Sequence, residues 1–310
     1  MSSLREIKDR IGSVRGTLKI TSAMKLVASA KLRKAQRTIE SLLPYEQELD
    51  SILASLLSVS TSGLTDLRCA HPSQPDGWAP PVHEATGGHG SSDQSTAGQR
   101  SAIIVISSNS SLCGGFNANA VKKAMEVING SEGAVEVIAV GRKAAEAMKK
   151  AGYVQEEDFS DVIGHPGYEK SASLARRLME KFDAGEFGRV VLVYNHFVNG
   201  ATQVPVAETY LPFSYEPDAA AAEADFPEDL IIEPEREEIL KTLLPQVITM
   251  KLHTAVLDSA AAEHAARTMA MQTATDNAED LLSTLTLEYN KGRQQKITAE
   301  ILDLLGGAAK

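Results

Sequence analysis

Two apolar stripes, one at each end of the chain, constrain the fold more than any other feature. Leu4, Ile7, Ile11, Val14 and Leu18 recur with steps of three and four. So do Leu243, Val247, Met250, Thr254, Leu257, Ala261, His264, Thr268, Met271, Thr275, Ala278, Leu282, Leu285 and Tyr289. Such steps keep one helix face turned toward a partner helix, as in a coiled-coil seam. The stretch between the stripes has a different pattern. The expected arrangement is two long terminal helices wound on each other, with a globular domain hung between them. A stiff rod made from both chain ends is a mechanical part rather than a pocket.

Composition agrees with thin seams. Aromatic residues are only 5% of the 310 residues, too few for a broad globular core, while alanine is abundant. Charge is uneven. Up to Arg37 there are ten basic residues against Glu6 and Asp9, a local +8 in a chain whose formal net charge is -10. Such asymmetry marks a charged surface that meets a partner. An acidic protein suits it as well as nucleic acid, and the basic helix lacks the aromatics that nucleic-acid binders interleave. Cys69 and Cys113 form no disulfide framework, so a reducing cytoplasm is expected. The start, Met-Ser-Ser-Leu-Arg-Glu, lacks a signal-peptide core, and no run approaches the ~18 apolar residues of a membrane span. Direct membrane insertion is not expected.

The spacing predicts a first helix over Leu4 to Ser58, roughly 80 Å long at ~1.5 Å per residue. Its seam is read as slipping phase near Ile20 to Met24, then resuming through Ala28, Leu32, Ala35, Ile39 and Leu42. Gly12 and Gly16 weaken the helix by ~1 kcal/mol each against Ala. Pro44 should kink it. Residues 61–100, rich in Ser, Gly, Pro, Thr and His, read as a flexible linker. Cys69, His71, His83 and His89 within it match no common zinc spacing, and no metal is predicted.

Order resumes at Ser101–Ser107, an apolar run typical of a buried parallel strand. Helices are predicted over Asn117–Asn129, from Gly141 to Ala151, and over Tyr168–Asp183. Further strands are predicted over Val135–Val140, Arg189–His196 and Gln203–Tyr210, the last two around an Asn199-Gly200 turn. Alternation of this kind implies a small α/β domain with a largely parallel sheet. Residues 216–235 form an acidic connector, and a last helix follows to about Leu305, with Pro245 early in it. The organisation expected is a helix in 1–60, linker 61–100, α/β domain 101–215, connector 216–235 and helix 236–310. The fold class is α+β.

The segment Ser107 to Asn117 joins a strand to a helix through Cys113, Gly114 and Gly115. A Gly-rich turn at a helix start can cradle phosphate with free amides. This one fits neither Gly-x-Gly-x-x-Gly nor the P-loop pattern, so a tight structural turn is the expected role. Val140-Gly141-Arg142-Lys143 invites the same reading. Cys113 reads as a buried small residue, and His264 as a packed seam residue. No Ser/His/Asp set or metal pair stands out, so no catalytic residue and no cofactor are predicted.

Several motifs resemble the gamma subunit of F-type ATP synthases. They are Ile20 through Gln36 (ITSAMKLVASAKLRKAQ), Leu112-Cys-Gly-Gly-Phe-Asn117, Glu263 through Met271, Ala274-Thr-Asp-Asn-Ala278, and Tyr289 through Glu300 with Asp303 and Gly307-Ala308. They occur in order at both ends and in the middle. The resemblance implies an antiparallel coiled coil standing as a shaft inside a ring of alternating alpha and beta subunits. It implies an α/β domain at the base, near the epsilon subunit and the membrane ring of c subunits. Proton flow would turn the rotor and drive catalytic sites on the beta subunits through different affinities. Arg293, Gln294, Thr298 and Glu300 would contact a catalytic beta subunit. Met24 and Lys25, with Lys31 and Arg33 beside them, would face its acidic lever. The implied place is the cytoplasmic face of a bacterial inner membrane, as a peripheral protein. Departures are Asn109-Ser110-Ser111 where the family has Asp-Arg-Gly, the glycines at 12 and 16, and a longer linker. The redox cysteine pair of the chloroplast relatives has no counterpart. Two readings stand beside this one: a nucleotide-binding α/β enzyme, and a coiled-coil adaptor or nucleic-acid binder.

Overall fold

The computed structural model describes residues 3–58, 100–131, 133–155, 157–213, 233 and 235–308. Most of the expected linker and connector, with Cys69 and its neighbouring histidines, lies outside them. Helix α1 spans Leu4–Ser58 and helix α6 spans Arg236–Ala308. They run antiparallel. Leu4 lies over Gly292, Thr21 meets Thr275, Lys25 meets Gln272, and Glu46 meets Thr254.

The seam of α1 does not slip. Its inward positions run 4, 7, 11, 14, 18, 21, 25, 28, 32, 35, 39, 42, 46, 49, 53 and 56, all buried or half-buried. Thr21 and Lys25 fill two of these places in register. The expected slip at Ile20–Met24 arose because two seam positions are polar while Ile20, Leu26 and Val27 point outward. The polar pair is satisfied across the seam. The Thr275 and Thr21 hydroxyls lie 2.9 Å apart, and Lys25 Nζ donates to Gln272 Oε1 at 2.8 Å. Helix α1 continues through Pro44, which is exposed, so the carbonyl left unbonded one turn back can turn to water.

Between the long helices come β1 Arg100–Ile106, α2 Phe116–Gly130, β2 Val135–Val140 and α3 Arg142–Lys150. A short α4 Ser160–Gly164, α5 Tyr168–Asp183, β3 Phe187–Phe197 and β4 Gln203–Leu211 complete the set. The sheet order is β2-β1-β3-β4. The first three strands are parallel, and β4 is an antiparallel edge strand. The Asn199 carboxamide closes the β3–β4 turn by accepting from the amides of Ala201 and Thr202.

Strand β1 is buried on both faces, which is why it reads as an unbroken apolar run. Ala102, Ile104 and Ile106 face α5, α6 and the end of α1, whereas Ile103 and Val105 face α2 and α3. Consequently α6 changes character along its length. From Val247 to Arg267 it is enclosed by α1 and the sheet domain, with few residues even half-exposed. From Met271 to Tyr289 only the α1 side is covered. From Arg293 to Leu304 every residue is exposed.

Candidate functional site

Helix α6 outruns its partner. A Cβ at Gly292 would come within 3.0 Å of Leu4 Cδ2, so the two helices are in close contact where α1 begins. Residues 293–308 extend the helix by about 24 Å, and among the described residues nothing packs over 293–304. Isolated helices gain little from propensity alone, and most helical stability comes from packing. Yet this tip is apolar in places: Ile297, Ile301, Leu302 and Leu304 are exposed, Leu304 by 74%.

Four expected contact residues lie on the tip. Among the described residues, Arg293 and Gln294 use no side-chain hydrogen bond or ion pair. The Thr298 hydroxyl donates to the Gln294 carbonyl one turn back at 2.9 Å. Glu300 lies 3.8 Å from Lys296, an exposed pair of the kind that contributes little. The guanidinium and carboxamide of 293–294 are therefore free to bond outward.

The other two lie on the flank of α1. Met24 and Lys25 are half-buried, and Lys25 is turned into the seam rather than fully outward. Gln272, its partner, donates onward to Asp276 Oδ1 at 2.7 Å. Lys31 and Arg33 are exposed. The face opposite the seam carries a feature the sequence reading passed over. Ile20, Leu26 and Val27 are each more than half exposed. At roughly 100° per residue, Ile20, Val27 and the exposed Ala23 and Ala30 share one side, which Lys34 continues and Lys19 and Arg33 edge. The signal was present in the sequence as apolar residues out of phase with the seam.

The turn at Cys113, Gly114 and Gly115 is structural in its surroundings. Leu112 and Gly114 both have positive φ, 67° and 59°. Cys113 is buried, accepts from Asn117 Nδ2 at 3.1 Å, and packs with Phe116 on Ala262 and Ala266 of α6. Asn117 Oδ1 in turn accepts from the Ser108 amide at 3.0 Å. In doubly wound α/β folds, ligands enter at the carboxyl ends of the strands where strand order reverses. Here the reversal falls between β1 and β3, and α6 lies against the turn that follows β1. A cleft of about 250 Å³ remains beside it, between that turn, Gln203 of β4, and Met269 and Thr273 of α6.

The loop after β1 is gripped by a buried ion pair. Glu263 and Arg267 lie one turn apart on α6, and Arg267 Nη2 donates to Ser110 Oγ at 2.8 Å and to the Ser110 and Ser111 carbonyls. Asn109 ties the same loop to the rest of the domain, donating to the Ser160 carbonyl at 2.7 Å and accepting from the Arg142 amide at 3.0 Å. So Asn109 and Ser110 each take a structural partner where the resembled family carries Asp-Arg. His264, on the seam, is pushed down to about 4 by burial, with the charges of Arg267 and Lys31 adding to the shift, so it is neutral at pH 7. Among the described residues, no group of three or more His, Cys, Asp or Glu could hold a metal ion, and no helix is long and apolar enough to cross a membrane.

Comparison with known proteins agrees with this architecture. The family model described as ATP synthase matches residues 3–310. The ATP synthase gamma chain of Phocaeicola vulgatus is 44% identical, with 99% of each chain covered. That of Parabacteroides distasonis is 43% identical, over 100% of this chain and 99% of the other. That of Flavobacterium johnsoniae is 37% identical, over 99% and 98%. Among solved structures, a chain of the Euglena gracilis mitochondrial ATP synthase (OSCP/F1/c-ring, rotational state 3) has a TM-score of 0.60 at 19% identity, with 99% of this chain and 93% of that one covered. A chain of the rotor from the same organism has a TM-score of 0.55 at 18% identity, over 95% and 98%. With a seam built from both termini, an inserted mixed sheet and full-length relatives well above 30% identity, this chain belongs to the ATP synthase gamma-chain family.

Proposed function

We propose that this chain is the central rotor shaft of a proton-translocating ATP synthase, coupling rotation to conformational change at catalytic sites on surrounding beta subunits. The bare tip of α6 is the observation that most supports it. Residues 293–304 present free polar groups and uncovered apolar side chains on a helix that has no partner among the described residues. A helix so exposed is suited to a socket. In this reading Arg293, Gln294, Thr298 and Glu300 bond to a beta subunit at the tip. Met24 and Lys25 act lower down, and the outward face of Ile20, Leu26 and Val27 adds apolar contact there. The partners are the alpha and beta subunits, the epsilon subunit at the sheet domain, and the c ring. The chain binds no cofactor and holds no catalytic site. It works as a peripheral protein on the cytoplasmic face of a bacterial inner membrane.

A rotor alters chemistry by stabilising one state of its neighbour over another. Moving a two-state element from 1:99 to 99:1 takes about 5.5 kcal/mol of differential contact. Two or three hydrogen bonds to charged groups, at roughly 1.5–3 kcal/mol each, reach that range. The test is the double substitution Arg293→Ala/Gln294→Ala in the assembled complex. Proton-driven ATP synthesis should drop by about tenfold or more, the loss of at least one charged hydrogen bond. Undiminished synthesis in that variant would remove the tip contact from the mechanism. The nucleotide-binding reading is tested by calorimetry of the full chain with ATP and ADP, where micromolar binding would revive it.

A further inference from the structure

Where the carboxyl ends of β1 and β3 meet α6, the surface of the helix is smooth. Ala262 and Ala266 make the apolar contact with Cys113, Phe116 and Phe197 there, and alanine offers no projecting side chain to stop one body from turning on another. Nearer the start of the helix, by contrast, Ile248, Leu252 and Val256 interdigitate with the domain core. Apolar burial is non-directional. At this end directional bonds select the rotational setting. Lys251 and Glu208 form a half-exposed contact at 3.8 Å further down. Two more deeply buried charged groups stand on opposite sides of α6. Asp258 and Arg267 are nine residues apart, which at roughly 100° per residue is about half a revolution. Asp258 Oδ1 accepts from the Phe197 amide at 3.0 Å, and its Oδ2 lies 2.6 Å from His196 Nδ1, both at the end of β3. Arg267 holds the loop after β1 through Ser110 and Ser111, and Glu263 holds the guanidinium in place. The sheet domain thus grasps the helix from two sides, through the ends of its two central strands.

We propose that Arg267 and Asp258 are rotational keys: positioning residues that carry torque between the sheet domain and α6, and that stop the domain from slipping around the shaft. The proposal rests on the rotor reading. Torque enters the chain at its base and is used along the coiled coil, so it must cross this junction. A tangential load in either sense meets one charged key on each side. Packing holds the junction together at rest, and the keys matter under load.

The experiment uses the complete complex reconstituted into vesicles, with Arg267→Met, Asp258→Ala and the pair combined. ATP hydrolysis is measured with the proton gradient collapsed, and protons pumped per ATP are followed as an opposing gradient builds. Unloaded hydrolysis should stay at the wild-type rate. The pumping ratio should fall as the load rises, with slippage growing roughly tenfold for each charged bond lost from the barrier. Arg267→Lys should recover part of the ratio, because it keeps the charge but not the fork. Wild-type ratios at every load in the double variant would overturn the keys. So would hydrolysis and pumping falling in proportion without load, the mark of a merely structural role. If Arg267→Met does not assemble, Ser110→Ala and Arg267→Lys decide, and wild-type ratios in both are the overturning result. Failure of the unaltered chain to co-purify with an alpha–beta hexamer would instead sink the rotor reading itself.

Discussion

Gly141 has no room for a side chain. Its φ is +109°, and a Cβ there would lie 2.2 Å from the Ser107 carbonyl oxygen. The close approach lets the Ala144 amide reach Ser107 Oγ at 2.7 Å and the Lys143 amide reach the Ser108 carbonyl. Gly141→Ala should therefore cost roughly 3 kcal/mol, combining backbone strain with a backbone clash. Denaturant unfolding of the purified chain measures it. His264 sets a pH dependence. Its folded value, about 4, lies below the ordinary histidine value near 6.5, chiefly through burial, and its Nδ1 has no hydrogen-bond partner. The unfolded chain takes up the proton first on acidification. The stabilisation is complete above about 6.5 and is lost as pH falls toward 4. Glu46 and Asp258 are both raised, mainly by burial, and act in the opposite sense. His264→Leu should flatten the fall in melting temperature between pH 6.5 and 4, and an unchanged slope would show that other groups govern it.

At the scale of elements, α1 carries two removable weaknesses. A Cβ at Gly12 or Gly16 would meet nothing within 4 Å, and both positions are exposed. Packing therefore does not require glycine there. Gly12→Ala and Gly16→Ala should each stabilise the chain by about 1 kcal/mol through helix propensity and a less flexible unfolded state. A thermal melt checks the gain. No effect would mean that this end of α1 is frayed in the free chain. The same helix shows why one sequence reading failed. Its span and its seam through Leu18 were legible, but a slip was inferred at Ile20–Met24. Apolar pattern finds a seam only where the seam is apolar. Thr21 and Lys25 hold their places by hydrogen bonds to Thr275 and Gln272, residues about 250 positions away that periodicity does not see. Short α4, whose five residues hold too little pattern, went unread for the same kind of reason.

At the scale of the whole molecule, this member of the ATP synthase gamma-chain family has its stability divided along its length. The middle of α6 is enclosed, whereas the tip has no partner helix among the described residues. Hydrogen exchange on the free chain should accordingly show strong protection over 247–267 and little over 293–304. Equal protection in the two stretches would mean that the tip is held by something other than packing. In the assembled complex the tip should become protected, as its apolar residues find a socket.

The sequence by itself determined the long helices, the strands and the family. Apolar steps of three and four, buried strand runs, and motifs in a preserved order are local properties that each residue carries with it. It also placed Arg293, Gln294, Thr298 and Glu300 on the last helix. Only the tertiary structure decided that these four stand past the start of α1, that Lys25 turns inward to Gln272, and that Ile20, Leu26 and Val27 form an outer face. It alone brought Arg267 to Ser110 and Asp258 to the end of β3. The last two depend on how the sheet domain docks on α6, and the others on the axial register between two helices from opposite ends of the chain. That register is set by pair contacts across the seam, which no single stretch of sequence contains.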